Sequence, residues 1–173
     1  MLFLFFVYSG DMNNDAILIY SDHVGRFYAK AYGFPPVVGR LIGYLSVCQP
    51  IQQSIGEISG ALLASRSAIN GAVTMLEAQN LIIRNRPAGS RADLISLNHG
   101  GWEKTGFDSN EYLQQAELAK EGLELLKEAS AERRATLEEV KTLNEFLAER
   151  MPSLLKEWHD YRDKILGRNK RKK

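Results

Sequence analysis

The chain has a single cysteine, Cys48, in 173 residues. No intrachain disulfide can form, so stability must come from burial, and a reducing compartment, the cytoplasm, is the simplest setting. The run Leu45-Ser46-Val47-Cys48 reads as the inner side of a helix end, with the thiol as a small core residue. Histidine is almost as scarce: His23, His99 and His159 are scattered, and no His, Cys and carboxylate set has metal-ligand spacing. No glycine loop follows a strand and opens a helix to cradle phosphate. An enzyme, a metal and a cofactor are therefore not expected. Long apolar runs are missing as well. Met1-Leu2-Phe3-Leu4-Phe5-Phe6-Val7-Tyr8 is eight residues long, lacks a basic flank and is followed by Asp11. A bilayer span needs about 20 apolar residues, so no membrane partner is expected. We read residues 1–14 as a disordered or non-native extension, with Met12 as the natural start.

A large excess of one charge is also absent. The net charge is +1, but its distribution is uneven. Val37 to Leu97 holds five Arg against three acidic residues, while His99 to Leu166 holds ten basic against fifteen acidic ones. The middle segment can therefore meet phosphate, and the basic run Arg168 to Lys173 reads as a solvated tail. With 45% apolar and 25% charged residues the chain can bury one good core, or one small domain plus an oligomerisation arm.

Ile17, Tyr20, Val24, Phe27, Tyr28 and Ala31 recur at three- and four-residue steps from Asp15 to Tyr32, which predicts an amphipathic helix ended by Gly33. Pro35-Pro36 breaks the chain. A second helix follows with Val37, Leu41, Tyr44, Leu45 and Val47 inward, until Pro50 stops it. Gly39 and Gly43 lie four apart on it and would let a neighbouring helix come close.

From Gln53 to Leu97 the spacing describes one device. Ser54 and Glu57 have capping-box spacing, and Ile55, Ile58, Leu62 and Leu63 follow on one side. A turn at Ala64-Ser65-Arg66 leads to a second helix, 66–79, capped by Ser65, with Ile69, Ala72, Val73 and Leu76 inward and Asn80 as a left-handed end. Leu81 to Arg86 and Ala92 to Leu97 then read as a hairpin around Pro87-Ala88-Gly89-Ser90-Arg91. That order is a winged helix-turn-helix, mainly α with a small β-hairpin wing.

The outer face of helix 66–79 carries Arg66, Ser67, Asn70 and Thr74. Asn pairs with adenine, Arg with guanine and Thr or Ser with either, so Arg66, Asn70 and Thr74 are the candidate base readers in a major groove. Ser65 and Ser67, beside the helix N-terminus, suit phosphate. The wing, 84–91, offers Arg84 and Arg86 on one side of a strand and Ser90 and Arg91 at its tip, where Arg91 could enter a minor groove or meet the backbone. The expected partner is a double-stranded DNA operator. Winged helices also serve as protein-binding modules, and the spacing leaves that second reading open.

After Gly100-Gly101, read as a hinge, the composition turns to Glu, Lys, Leu and Ala. Ala116, Ala119, Leu123, Leu126, Leu137, Val140, Leu147, Met151, Leu154, Trp158, Tyr161 and Ile165 fit a three-four spacing, interrupted by Ser130, Arg133 and Asn144. Residues 102–173 thus read as a helical dimerisation arm, joined to a winged-helix domain at 15–101. The interface would use the helices before Gly33 and after Gly101. Pro152 reads as the first turn of a separate last helix, with a kinked single helix as the other possibility.

The runs Gly33 to Leu45, Ser54-Ile55-Gly56-Glu57-Ile58, Ser65-Arg66-Ser67-Ala68-Ile69-Asn70, Leu76-Glu77, Leu81-Ile82 and Pro87 to Arg91 resemble the GbsR-like branch of the MarR family of bacterial transcriptional regulators. The likeness covers about Tyr20 to Trp102. It implies a homodimeric regulator, usually a repressor, that binds a pseudo-palindromic operator and in some members is released by a small ligand. Some relatives answer to quaternary-ammonium solutes, which aromatic faces hold. Phe27, Tyr28, Tyr32, Phe34, Trp102, Phe107 and Tyr112 flank the junction between the module and its arms, where such a pocket could form, with core packing as the main reading for most of them. The chain departs from the family pattern at Ser67 and at Gln79-Asn80, so no operator sequence carries over.

Overall fold

Glycine decides how the first two helices meet. In the computed structural model, which describes residues 14–167, α1 (Asn14–Tyr32) and α2 (Pro36–Val47) pack together through Gly25, Gly39 and Gly43. A Cβ on Gly39 would lie 2.8 Å from the Gly25 Cα and 2.9 Å from the Val24 carbonyl oxygen, and one on Gly43 would lie 2.9 Å from the Ser21 Cα. Only hydrogen fits there. The apolar start of the chain, Met12 as its first residue and the tail after Gly167 lie outside the described residues.

This close approach corrects the expected inward face of α1. Its buried residues are Ser21 and Gly25, flanked by half-buried Ile17, Val24 and Tyr28, whereas Tyr20, Phe27 and Ala31 are exposed. Two helix backbones in contact select the smallest side chains for the line between them, and bulky ones move aside. The Ser21 hydroxyl stays satisfied by donating to the Ile17 carbonyl at 2.7 Å. Gly33, at φ +69°, ends α1 as expected.

After α2 come β1 (Gln53–Ser54), α3 (Ile55–Ala61), α4 (Arg66–Ala78), β2 (Ile82–Asn85) and β3 (Leu94–Leu97). The sheet is antiparallel in the order β1-β3-β2, with Gln53 opposite Ile95 and Arg84 opposite Ile95 on the other side. The hairpin is therefore two strands of three. Strand β1 is too short to show alternation in the sequence. Its buried Gln53 accepts a hydrogen bond from the Tyr44 hydroxyl at 3.0 Å and donates to the Pro50 carbonyl at 2.6 Å.

The predicted capping box forms: the Ser54 N–H donates to Glu57 at 2.7 Å, and Glu57 N–H returns a bond to the Ser54 hydroxyl at 3.3 Å. Those bonds hold the Glu57 carboxyl below the usual range. Leu62 is fully buried, but Leu63 is 79% exposed and sits at φ +50°. The helical period ends at Leu62 because the chain reverses through a left-handed residue next. Non-helical backbone runs from Leu62 to Ser65, so Arg66 opens α4 rather than closing the turn. Ile69, Ala72, Val73 and Leu76 are all buried, and with Leu41, Leu45, Ile58, Leu62 and Ile95 they make one core. Asn80 takes φ +57°, the left-handed end expected of it.

From Trp102 on, the described residues form a separate compact unit, to which α5 (Gly101–Phe107), α6 (Ser109–Leu125) and α7 (Ala131–Ile165) belong. Helix α7 runs through Pro152 as one element, so the separate last helix expected to begin there does not form. At 1.5 Å per residue it spans roughly 50 Å, about twice α6. The two pack along one side, where Ala116, Ala119, Asn144 and Ala148 are buried and a Cβ on Gly122 would lie 2.8 Å from Leu137. Val140, Leu154, Trp158, Tyr161 and Ile165, counted in the same seam by spacing, are exposed. The three-four spacing thus serves two faces of α7, one closed within the chain and one open.

Gly101 is buried, and a Cβ there would lie 2.1 Å from the Asn80 carbonyl oxygen, so glycine is needed for close packing.

Candidate nucleic-acid interface

Helix α4 begins where its sequence says it should. The Ser65 side chain accepts from the Ala68 N–H at 3.1 Å, and Arg66, Ser67, Asn70 and Thr74 lie exposed on the face away from the core. Ser65, expected at phosphate, is thus occupied in capping the helix. Arg40 on α2 holds the turn that precedes this helix: its Nε lies 2.6 Å from Asp22 on α1, and its Nη2 donates to the Leu62 carbonyl at 2.8 Å. It ties α1, α2 and the turn together, a role no spacing pattern announces.

The wing tip closes on itself. Ser90 N–H donates to the Pro87 carbonyl at 3.0 Å, and Gly89 takes φ +80°, where a side chain would be strained. The Ser90 hydroxyl accepts from the Ala92 N–H at 3.1 Å, so this candidate builds the tip, and Arg91 is left exposed beside it.

Below the tip lies an ion-pair network. Arg84 binds Glu77 through its Nη2 at 3.2 Å and Asp93 through its Nη1 at 3.4 Å, while Arg86 Nε donates to the other oxygen of Asp93 at 2.6 Å. The Arg86 hydrogen bond, with help from Arg84, holds the Asp93 carboxyl below the usual carboxylate range. Glu77, as hydrogen-bond partner, raises the Arg84 guanidinium further above its ordinary value. Helical and strand spacing assign Glu77 and Asp93 no part in this surface. A signal existed: folding the hairpin about Gly89-Ser90 puts residues 86 and 93 opposite each other, a cross-strand pair of opposite charge.

These elements enclose an open hollow of about 440 Å³ between the start of α4 and the wing. Arg66, Asn70, Arg84, Arg86, Arg91 and Asp93 line it. Five of the candidate residues are thus brought together, while Ser67 and Thr74 stand on α4 outside the hollow. Among the described residues neither Arg66 nor Arg91 has an acidic partner. The hollow presents donors and two uncompensated cations, a surface suited to an anionic groove.

Phe27, Tyr28, Tyr32 and Phe34 gather at the end of α1, with Tyr28 and Phe34 stacked at 6.2 Å between centroids and Tyr28 and Tyr32 at 5.5 Å. Trp102, Phe107 and Tyr112 belong to the other unit. Among the described residues no three His, Cys, Asp or Glu side chains group as a metal site, and no helix is long and apolar enough to cross a membrane.

A capped second helix after the turn, a three-stranded sheet and a basic wing define a winged helix-turn-helix domain. A solved structure described as a transcriptional regulator is similar to 84% of this chain and 99% of its own, at a TM-score of 0.75 and 25% identity. Residues 100–161 match the family described as MmpR5-like MarR family transcriptional regulators. The HTH-type transcriptional regulator MmpR5 of Mycobacterium tuberculosis is 30% identical over 130 residues, which cover 73% of this chain and 77% of that protein. The chain belongs to the MarR family of transcriptional regulators, in its MmpR5-like group. It is thereby a DNA-binding regulator of transcription.

Proposed function

We propose that the chain is a homodimeric repressor that reads a pseudo-palindromic operator, α4 in the major groove and the wing on the minor groove or backbone. The observation that carries this is the shared hollow in which Arg66 and Asn70 of α4 meet Arg91 of the wing, with both arginines uncompensated. Arg66, Asn70 and Thr74 read base edges. Ser67 and Arg91 meet phosphate or the minor groove, and Ser65, Arg84, Arg86 and Ser90 shape and support that surface from within it. Such a protein works where the DNA is, in the cytoplasm.

Two copies are needed because one module gives too little readout, whereas two modules spaced a helical turn apart double it. The exposed apolar residues of α7, with Leu143 at 53% and Phe146 at 52%, supply a surface for pairing, and the exposed aromatics of α1 supply another. A gel shift on DNA upstream of its own gene, repeated at rising salt, tests the reading. Retardation that weakens steeply with salt is expected; no retarded band at low salt overturns it.

The likeness to the GbsR-like branch bears on control by a ligand. The ring cluster Phe27, Tyr28, Tyr32 and Phe34 gives a quaternary-ammonium solute its aromatic faces. Calorimetry with choline and betaine tests this, and no heat at millimolar ligand removes it for those compounds.

A further inference from the structure

We infer that Asp93 is a specificity determinant of the DNA-binding surface: it holds Arg84 and Arg86 away from phosphate, so that only Arg66 and Arg91 offer uncompensated charge. The inference rests on the proposed DNA reading. Four arginines line the hollow, yet Glu77 and Asp93 neutralise two of them in a network with no net charge. The two oxygens of Asp93 are divided, Oδ1 to Arg86 and Oδ2 to Arg84, and its side chain is only 19% exposed. Arg86 is 63% exposed and stands where a phosphate could meet it, but its Nε is directed to the carboxylate at 2.6 Å.

Charge on such a surface has two consequences of different value. Every uncompensated cation that meets a phosphate tightens binding to any sequence, because it releases counterions. Contacts to base edges tighten binding to the operator alone. An acid that occupies two wing arginines lowers the first contribution and leaves the second, which raises the ratio between operator and random DNA. It also keeps the strands in register, so that Arg91 is presented at a fixed place on the tip.

The test is a double-mutant cycle read on random-sequence duplex DNA and on a verified operator, across a salt series. Asp93→Asn keeps the shape and removes the charge. It is expected to tighten random-DNA binding about three- to ten-fold near 0.1 M salt and to steepen the salt slope by about one. Operator binding should tighten less, so the specificity ratio falls. Arg86→Gln is expected to cost little in the native background, and in the Asp93→Asn background as much as Arg91→Gln does.

An unchanged slope with Asp93→Asn, or an Arg86→Gln cost that is the same in both backgrounds, overturns the inference. If Asp93→Asn does not fold, as circular dichroism would show, the comparison of Arg86→Gln with Arg91→Gln in the native background decides. Equal costs refute the assignment, and a much smaller cost at Arg86 supports it. Failure of the native protein to bind either DNA refutes the DNA reading itself, an outcome distinct from those above.

Discussion

Arg66 and Arg91 carry the same charge at different places, and their loss should be told apart. Arg66 opens α4 beside Asn70, where a guanidinium reaches base edges in a bidentate way that Ala cannot replace. Arg66→Ala is expected to relax sequence preference at one position of each half-site, at about 1–3 kcal/mol of discrimination. Arg91 stands exposed at the wing, so Arg91→Ala should weaken all sequences alike and lower the salt slope by about one. Competition gel shifts with operator variants, run at several salt concentrations, separate the two. If both variants lose affinity uniformly, α4 is not the reader. At this scale the sequence was only partly legible. Helical and hairpin spacing exposes Arg66, Asn70 and Arg91, but the same spacing does not separate Arg84 and Arg86 from Arg91. Their partners Glu77 and Asp93 are seven to nine residues away and meet them only once helix end and hairpin are assembled.

Among the elements, the α1–α2 contact is the most exacting. Alanine at Gly39 would favour an isolated helix by about 1 kcal/mol, yet its methyl would meet the Gly25 Cα and the Val24 carbonyl, backbone atoms that cannot turn aside. Overpacking costs about 1–3 kcal/mol, so Gly39→Ala should destabilise in urea unfolding despite its better propensity. A stabilised variant would show that the helices can separate freely. The Gly39 and Gly43 spacing was legible in advance. Which residues of α1 they would face was not, because bulky Tyr20 and Phe27 share the apolar period and only close packing rejects them.

Acid should act on the elements through three depressed carboxyls. Glu57 is held down by hydrogen bonds from Ser54, Asp93 by Arg86, and Glu103 first by His159 and also by Trp158 and Arg162 of α7. Each binds protons more weakly folded than unfolded, so its contribution is present above about pH 4 and is lost as pH falls through the depressed value. Thermal melts should therefore shift to lower temperature below about pH 4. Glu103→Gln should flatten the part of that shift that belongs to residues 102–173. A melting temperature that stays level from pH 7 to pH 3 would contradict the assignment.

For the whole molecule, the open face of α7 is the point of decision. Its exposed Leu143, Phe146, Leu154, Trp158, Tyr161 and Ile165 form a large apolar surface, since α6 covers only the side of Asn144 and Ala148. Sedimentation at micromolar concentration should give a dimer. Phe146→Glu places a charge in that face and should shift the protein toward monomer, with operator affinity falling at least ten-fold while the helical content stays. A native monomer at that concentration would end the proposal.

The sequence by itself determined the helices before the module, the capped α3 and α4, the glycine and asparagine ends, the hairpin, the helical character of the last third and the likeness to the MarR family. These are local, set by neighbours within one turn of helix or one strand pair. Tertiary structure alone decided which apolar stripe lies inside, that β1 joins the wing to make three strands, that Gly101 packs against Asn80, and that two wing arginines are neutralised. Those outcomes depend on backbone approach and on charges brought together from distant positions, and a linear spacing carries neither.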